Sequence, residues 1–318
     1  MFDFENIQPN NFDSKAIELF RFQAFNNPIY SEYLSILNTN INKIESIKEI
    51  PFLPISFFKT HNVLLKNKKE KITFLSSGTG NIKRSKHLVS DLSIYEKSFT
   101  KGFEHFYGKI ENYCIQALLP SYLENKSSSL IYMINHFINS SKNKLSAFVS
   151  EKELIENITK LKTKKVLLIG VSYALLDLAE KQQLDLSNYI VMETGGMKGR
   201  RKEWTRNELH TVLKNSFNVK NIHSEYGMTE LLSQAYSKGN GIFETPPWMK
   251  ILTRPLSEPF TNQSNHKSGV IKIIDLANIN SCAFIETSDL GKINTDGSFE
   301  IIGRVDFEDI RGCNLMHV

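Results

Sequence analysis

Cysteine is scarce in this chain of 318 residues: Cys114, Cys282 and Cys313 lie far apart and never in CxxC spacing. That implies neither a zinc site nor a disulfide framework, and three reduced thiols are expected. No apolar run approaches the roughly 20 residues of a membrane helix. The opening MFDFENIQPNNFD is acidic and shows no basic-then-apolar leader, so a cytoplasmic chain without a membrane span is expected. A concentrated basic face is missing too. The formal charge is +5 and its Lys and Arg residues are spread along the chain, which argues against a nucleic-acid binder and leaves anionic small ligands open. No histidine pair has metal-ligand spacing, no internal repeat is visible, and SKNK and KNKKEK read as solvated loops.

What is present suits a globular α/β protein. Apolar residues make up 41% and charged residues 23%, enough for one large core, or one large and one small domain. Residues 1–70 read as a helical segment packed on the core: AIELFRFQAF and YSEYLSIL space their apolar positions at three and four, with Pro28 as punctuation. The stretch IPFLPISFF, with Pro51 and Pro54, reads as a pinned extended crossing. Across 71–245, the short apolar runs KITFL, YCIQALL, KKVLLIG and YIVM alternate with helical segments, one opened by a Ser150–Glu153 capping box. Such alternation indicates a layered α/β core with parallel strand pairing. Residues 246–318 read as a mainly β subregion, GVIKIIDLANI, CAFIET and a hairpin turning at Asp296-Gly297.

One segment raises a chemical question. Residues 74–87, FLSSGTGNIKRSKH, place a small, hydroxyl-rich loop after an apolar run and then bring Lys83, Arg84, Lys86 and His87 within five positions. Glycine-rich loops of this kind aim backbone N–H groups at phosphate oxygens, although a plain turn gives the same composition. A P-loop needs glycine at the sixth position; counting from Gly78 it is Lys83, and counting from Gly80 it is Ser85. A dinucleotide pattern fails for want of a third glycine. Three further motifs, EYGMTE at 225–230, ETSDLG at 286–291 and GRVDFEDIRG at 303–312, each follow a strand-like run, where open α/β sheets place ligand sites.

The order SSGTG, YGMTE, TSDLG, GRVD resembles the adenylate-forming superfamily of acyl and aryl ligases. Within it, the chain resembles the LuxE-type acyl-protein synthetases, through PFLPISFFKTH, SSGTGNIKRSKH, LLPSYLENKSSSLIYM, METGGMKGRRKEWTRNELH, EYGMTELLSQAYS, PPWMK and RGCNLM, from residue 51 to 316. The resemblance implies a layered α/β core of the adenylate-forming type, use of ATP and Mg2+, and activation of a carboxylic acid, with a fatty acid expected. Two departures stand out. Gly80 replaces a hydroxyl found in many relatives, and the chain stops just after the hinge motif, so the mobile C-terminal domain with its catalytic lysine is expected to be lacking.

Activation requires an acid oxygen to attack the α-phosphate of ATP, with donors and cations for the charge that builds. Ser76, Ser77, Gly78, Thr79 and Gly80 are candidates to cradle phosphates; Lys83, Arg84 or Lys86 add charge there or face solvent. Glu230 is the candidate Mg2+ ligand; its bland alternative is a first-turn glutamate on a helix TELLSQAY. Tyr226 and Gly227 fall beside the adenine or acyl pocket and Thr229 near the α-phosphate, as the resemblance implies. Asp289 suits the ribose hydroxyls or belongs to a polar turn, and Arg304 suits ribose or phosphate oxygens. Gly195 and Gly196, followed by Lys198, Arg200 and Arg201, read as a close-approach loop before a basic helix start that asks for an anion or an acidic neighbour. His223 reads as an adenine contact or a strand cap.

The acyl group then needs an acceptor. Cys313, beside Arg311 and near His317, is the candidate thiolate nucleophile, and the resemblance gives it the acyl-carrying role ahead of a reductase partner. Its alternative is a buried small residue. Cys114 reads as core and Cys282 as ambiguous. Phe57, Phe58, Phe243 and Trp248 line an acyl pocket or belong to the core. Two competing functions remain: transfer to coenzyme A or a carrier-protein thiol, and a non-catalytic subunit that docks an acyl-reductase or carrier protein.

Overall fold

A computed structural model describes residues 2–77, 83–120, 127–161, 165–196, 204–257 and 268–305. The helices are α1 (Phe12–Asn26), α2 (Pro28–Ile36), the single turn α3 (Phe57–Thr60), α4 (Leu92–Tyr107), α5 (Ser129–Ser140), α6 (Glu151–Lys160), α7 (Ser172–Lys181) and α8 (Arg206–Phe217). The strands are β1 (Leu53–Pro54), β2 (Ile72–Leu75), β3 (Lys86–Val89), β4 (Cys114–Leu118), β5 (Ala147–Phe148), β6 (Val166–Val171), β7 (Tyr189–Thr194), β8 (His223–Tyr226), β9 (Ala235–Ser237), β10 (Ile242–Phe243), β11 (Met249–Arg254), β12 (Ser268–Asp275), β13 (Phe284–Ile293) and β14 (Phe299–Arg304). They divide into two compact units, Met1–Lys69 with Pro247–Val318, and Glu70–Pro246.

The Glu70–Pro246 unit is built on a sheet ordered β5-β4-β6-β7-β8-β9. Its strands pair in parallel except β9, which returns antiparallel on β8. Every residue of β4 and β6 is buried, as expected of parallel strands covered on both faces. Gln116, fully buried on β4, has its amide satisfied by Leu145 O and by Asn157 Nδ2 at 2.9 Å. The helices start where the sequence marks them: both halves of the Ser150–Glu153 capping box form, and Thr205–Glu208 makes a second on α8.

In the other unit, β14-β13-β12-β11 form an antiparallel ladder, and β1 lies parallel to β13. The N-terminal helices belong here. Gln23, fully buried, donates to Asn278 O and Ile279 O and accepts from the Ala283 amide at 2.9 Å. Asn27 caps α2 ahead of Pro28 and also donates to Ser281 O. Phe284 stacks with Tyr30 and meets Phe20 and Phe52 edge-on. The chain therefore returns on itself: its first and last segments share one hydrophobic core, held by amide bonds across about 255 positions of sequence. In the proline-bounded crossing only Leu53–Pro54 pairs, Ile55 N–H extends it to Glu286 O, and Phe57 turns into the α3 helical turn with Phe58 in the core.

No helix among the described residues is long and apolar enough to cross a membrane. The hairpin turns at Asp296-Gly297, with Gly297 at φ +87° and Asn294 N–H bonded to Ser298 O. Gly291, the last residue of TSDLG, faces Gly269 in register; a Cβ on Gly291 would stand 2.5 Å from Glu300 O and 2.6 Å from Ile271 Cδ1. Gly303 has nothing within 4 Å of that position. Gly291→Ala is therefore expected to destabilise by about 1–3 kcal/mol, and Gly303→Ala by less than about 0.5 kcal/mol, read by denaturant unfolding.

Candidate active site

The described flanks of the 74–87 segment, residues 74–77 and 83–87, run along one antiparallel strand pair. β2 and β3 pair antiparallel up to Leu75↔Lys86, and the ladder continues through Ser76 N–H to Ser85 O at 2.9 Å and Ser85 N–H to Ser76 Oγ at 2.9 Å. Arg84 turns back on the neck, its Nε donating to Ser76 O and its Nη2 to Leu75 O. Of the three cations left between phosphate and solvent, Arg84 thus grips the hairpin's own carbonyls, Lys83 is exposed, and Lys86 is half-buried on β3. Ser76 accepts an amide and keeps its proton to donate; Ser77 is exposed. Gly78, Thr79 and Gly80 lie outside the described residues.

The EYGMTE segment departs from its helical alternative. β8 ends at Tyr226, residues 229–230 form a turn, and Ala235–Ser237 run back along β8 with Tyr226↔Ala235 and Ser224↔Ser237 in register. No TELLSQAY helix exists, so no helix dipole acts on Glu230, which is 4% exposed inside the turn. His87, buried at the end of β3, donates Nδ1–H to Thr229 O at 2.8 Å. That bond ties the hairpin to the YGMTE turn. Tyr226 packs edge-on against Phe243 at 5.9 Å. Gly227 is required by its neighbour: a Cβ there would stand 2.5 Å from Glu225 Oε1.

Under these loops lies a buried carboxylate pair that no motif role had singled out. β7 and β8 place Glu193 opposite Ser224 and Thr194 opposite Glu225. Glu193 accepts from Ser172 Oγ at 2.9 Å, from Arg206 Nε at 3.3 Å, and faces His210 Nε2 at 3.6 Å. Burial pushes Glu193 up, but the His210 bond and the Arg206 charge outweigh it and hold the carboxyl below its usual range. Glu225 accepts only from Thr194 Oγ1 among these groups; burial, with Glu193 beside it, raises it to about 7. Ser172 Oγ also donates to the carbonyl of Gly195, whose φ of +67° needs glycine. A Cβ on Gly196 would meet nothing within 4 Å among the described residues. Helix α8 starts at Arg206 after the Thr205 cap, and Arg206 finds its acidic neighbour in Glu193. Lys198, Arg200 and Arg201 lie outside the described residues.

Asp289 and Arg304 belong to the other unit. They face each other across β13 and β14, with Arg304 Nε 3.8 Å from Asp289 Oδ1. TSDLG is no turn: it continues β13, with a register shift opposite Val270–Lys272 where Asp289 N–H bonds Thr287 Oγ1 at 3.0 Å. Such irregularities re-aim a side chain. Cys114 is core, and Cys282 is fully buried with its thiol pushed up to about 12 by burial, so it is inert at neutral pH. Cys313 lies outside the described residues. Phe58, Phe243 and Trp248 are core, and Phe57 stacks on His61. His223 bonds the Tyr107 hydroxyl at 3.1 Å; burial, with Lys238 nearby, lowers it to about 4, so its imidazole is neutral.

The sequence matches no protein-family profile and no curated protein. Solved structures do match. ATP-bound MatB from Rhodopseudomonas palustris aligns with a TM-score of 0.55 at 15% identity, over 73% of this chain and 47% of that one. O-succinylbenzoate coenzyme A synthetase (MenE) from Bacillus subtilis in complex with AMP gives 0.52 at 16%, over 73% and 49%. An open conformation of 2-hydroxyisobutyryl-CoA ligase in complex with 2-HIB-AMP and CoA gives 0.65 at 11%, over 93% and 70%. The chain thus spans about half the length of the first two. The likeness establishes the fold, a mixed α/β architecture matching the N-terminal domain of adenylate-forming enzymes.

The carboxylate pair makes a pH prediction. Folded Glu225 keeps its proton to about 7, against about 4.5 when unfolded. Its contribution to stability is therefore full below 4.5 and lost as pH rises through 7. Glu225→Gln should remove this dependence, so the wild type loses up to about 1.4 kcal/mol per pH unit relative to the variant across that window. Chemical unfolding at pH 5, 6, 7 and 8 reads the slope; parallel lines for the two proteins would refute it.

Proposed function

We propose that this chain activates a carboxylic acid with Mg-ATP, forming an acyl-adenylate, and passes the acyl group to a thiol. The observation that carries the reading is the His87–Thr229 bond, which ties strand β3, at the end of the hydroxyl-rich segment, to the YGMTE turn. Ser76 and Ser77 offer hydroxyl donors at the hairpin neck, with Gly78, Thr79, Gly80 and Lys86 completing the proposed phosphate cradle. Gly195, Gly196 and Gly227 present backbone without side chains, and Tyr226 offers an aromatic face. Asp289 and Arg304 are proposed for the ribose and phosphate oxygens.

Among the described residues, no cluster of three or more His, Cys, Asp or Glu could hold a metal ion. One buried carboxylate, Glu230, fits Mg2+, which is held by one or two carboxylates together with phosphate oxygens and water. Bound Mg-ATP supplies the electrophilic phosphorus and the pyrophosphate leaving group. The chain's part is to hold the acid in line, donate hydrogen bonds where charge grows, and keep Glu230 desolvated for the ion.

The specific reading is the acyl-protein synthetase type: Cys313 attacks the acyl-adenylate, a thioester forms, AMP leaves, and an acyl-reductase or carrier protein collects the acyl group. A second acceptor, coenzyme A, is favoured by the 2-hydroxyisobutyryl-CoA ligase structure, which shares the fold and contains CoA. Incubation with Mg-ATP and labelled fatty and aryl acids should release pyrophosphate acid-dependently, and mass spectrometry should find the acyl group on Cys313. Label absent from the protein, with Cys313→Ser fully active on coenzyme A, selects the second acceptor. Glu230→Gln should slow pyrophosphate release about 10²-fold; unchanged release would remove Glu230 from the site.

A further inference from the structure

Between β9 and β10 the chain turns through Gly239-Asn240-Gly241, and Asn240 is the only asparagine of the sequence that precedes a glycine. Asn240 sits at φ +59° and Gly241 at φ +68°, both left-handed, as in the tight turn of a hairpin. The bond that closes the turn, Ile242 N–H to Gly239 O, is 3.4 Å, so the turn is weakly held. Asn240 is exposed, and its side-chain amide has no hydrogen-bond partner among the described residues. Gly241 is buried, and its N–H has no partner among them either.

An amide carbon and the N–H one residue further on are therefore adjacent and uncommitted. Gly241 adds no Cβ to hinder their approach, and a glycine on each side leaves the backbone around Asn240 free to turn. Both groups belong to one chain, so the attack has the advantage of proximity. The other turn of this kind, Asp296-Gly297, is tied down. Gly297 N–H donates to Asn294 O at 3.1 Å, and the Asp296 carboxylate accepts from Ser298 N–H at 3.0 Å and from Ser298 Oγ at 2.6 Å. Asn139 and Asn215, each followed by serine, lie inside α5 and α8, where the next N–H is bonded four residues back.

We propose that Asn240 is a site of spontaneous deamidation, and that its turn passes the modification on to Arg206. Solvent base takes the Gly241 N–H proton, and the nitrogen attacks Asn240 Cγ. A C–N bond closes a succinimide ring, and the side-chain nitrogen leaves as ammonia after taking a proton from water. Water then opens the ring at either carbonyl, giving aspartate or isoaspartate. Nothing is oxidised or reduced, and water is the only co-reactant.

Either product lowers the formal charge of +5 by one. Isoaspartate also routes the main chain through the side-chain carbon and lengthens the turn by one bond. Gly241 has little room for this: a Cβ there would stand 3.1 Å from Arg206 Cδ. Arg206 lies over the Phe243 ring at 5.0 Å and donates Nε to Glu193 Oε1 at 3.3 Å. A lengthened turn therefore presses on a residue that keeps Glu193 ionised, and the isoaspartate form is less stable. None of this needs ATP or turnover, so it stands or falls apart from the ligase reading.

The test ages the full chain in heavy-oxygen water at neutral and at mildly alkaline pH. Mass spectrometry then maps the label, with fragmentation that separates aspartate from isoaspartate. Asn240 should take up heavy oxygen before Asn139 and Asn215, and faster at the higher pH. Asp296 should stay unlabelled in the folded chain and join Asn240 once the chain is unfolded in denaturant. Asn240→Gly, which keeps the left-handed turn and removes the amide, should lose the signal entirely. Aged wild type should melt below fresh wild type, whereas aged and fresh Asn240→Gly should melt together. Fresh Asn240→Asp, which carries the charge on an unlengthened backbone, should melt with fresh wild type. Label at Asn240 only in the unfolded chain, or equal rates at Asn240 and Asp296 in the folded one, overturns the proposal. Isoaspartate formed from Asn240 without a lowered melting temperature overturns its link to Arg206.

Discussion

Two buried carboxylates on neighbouring parallel strands set the constraint around which the Glu70–Pro246 unit is arranged. The register that opposes Thr194 to Glu225 fixes Glu193 and Glu225 one residue apart along the sheet, and both are buried. Ionising both is unfavourable, and Glu225 keeps its proton up to about pH 7. Helix α8 resolves this by bringing Arg206 and His210, four residues apart on one face, to Glu193 alone. Glu193 then carries the charge and Glu225 holds its proton. The start of α8 is thereby fixed, and the Thr205–Glu208 capping box is the local signal that fixes it.

Both candidate ligand loops inherit their positions from this pair. Ser172 bonds Glu193 and the carbonyl of Gly195 together, so the glycine turn is anchored to the ionised member. Glu225 packs under Gly227, so the YGMTE turn rests on the protonated member. His87 closes the set by holding Thr229 from the hairpin side. A glycine in such a motif has two duties, exposing backbone to a ligand and making room for a carboxyl below, and Gly227 performs the second.

What the sequence made legible was local. The fully apolar strands, the Ser150 cap and the Asp296-Gly297 turn are dictated by residues within a few positions of one another, and they form as read. TELLSQAY misled because Leu231, Leu232, Ala235 and Tyr236 have helical spacing, yet pairing with β8 makes Ala235–Ser237 a strand; tertiary pairing overrides propensity. Arg84 gave no sign of turning inward, since a cation in a basic run looks solvated until a carbonyl is within its reach. The return of α1 and α2 onto the C-terminal strands rests on Gln23 and Asn27, whose amides find partners some 255 positions away that no local pattern announces.

The two units handle buried charge differently. Around Lys272, Arg254 grips Glu286 and the Lys272 ammonium stands beside the same carboxylate. Around Glu225, Arg206 and His210 serve Glu193 alone, so Glu225 is uncharged only while it holds its proton. In the ligase reading that distinction matters. A phosphate drawn to the bare backbone of Gly227 approaches Glu225, and an ionised carboxylate there would repel it. Keeping that carboxyl neutral near pH 7 removes the repulsion, and an arriving anion raises its proton affinity further. On that reading ligand and proton would bind together, and the buried pair that organises the fold would couple nucleotide affinity to pH.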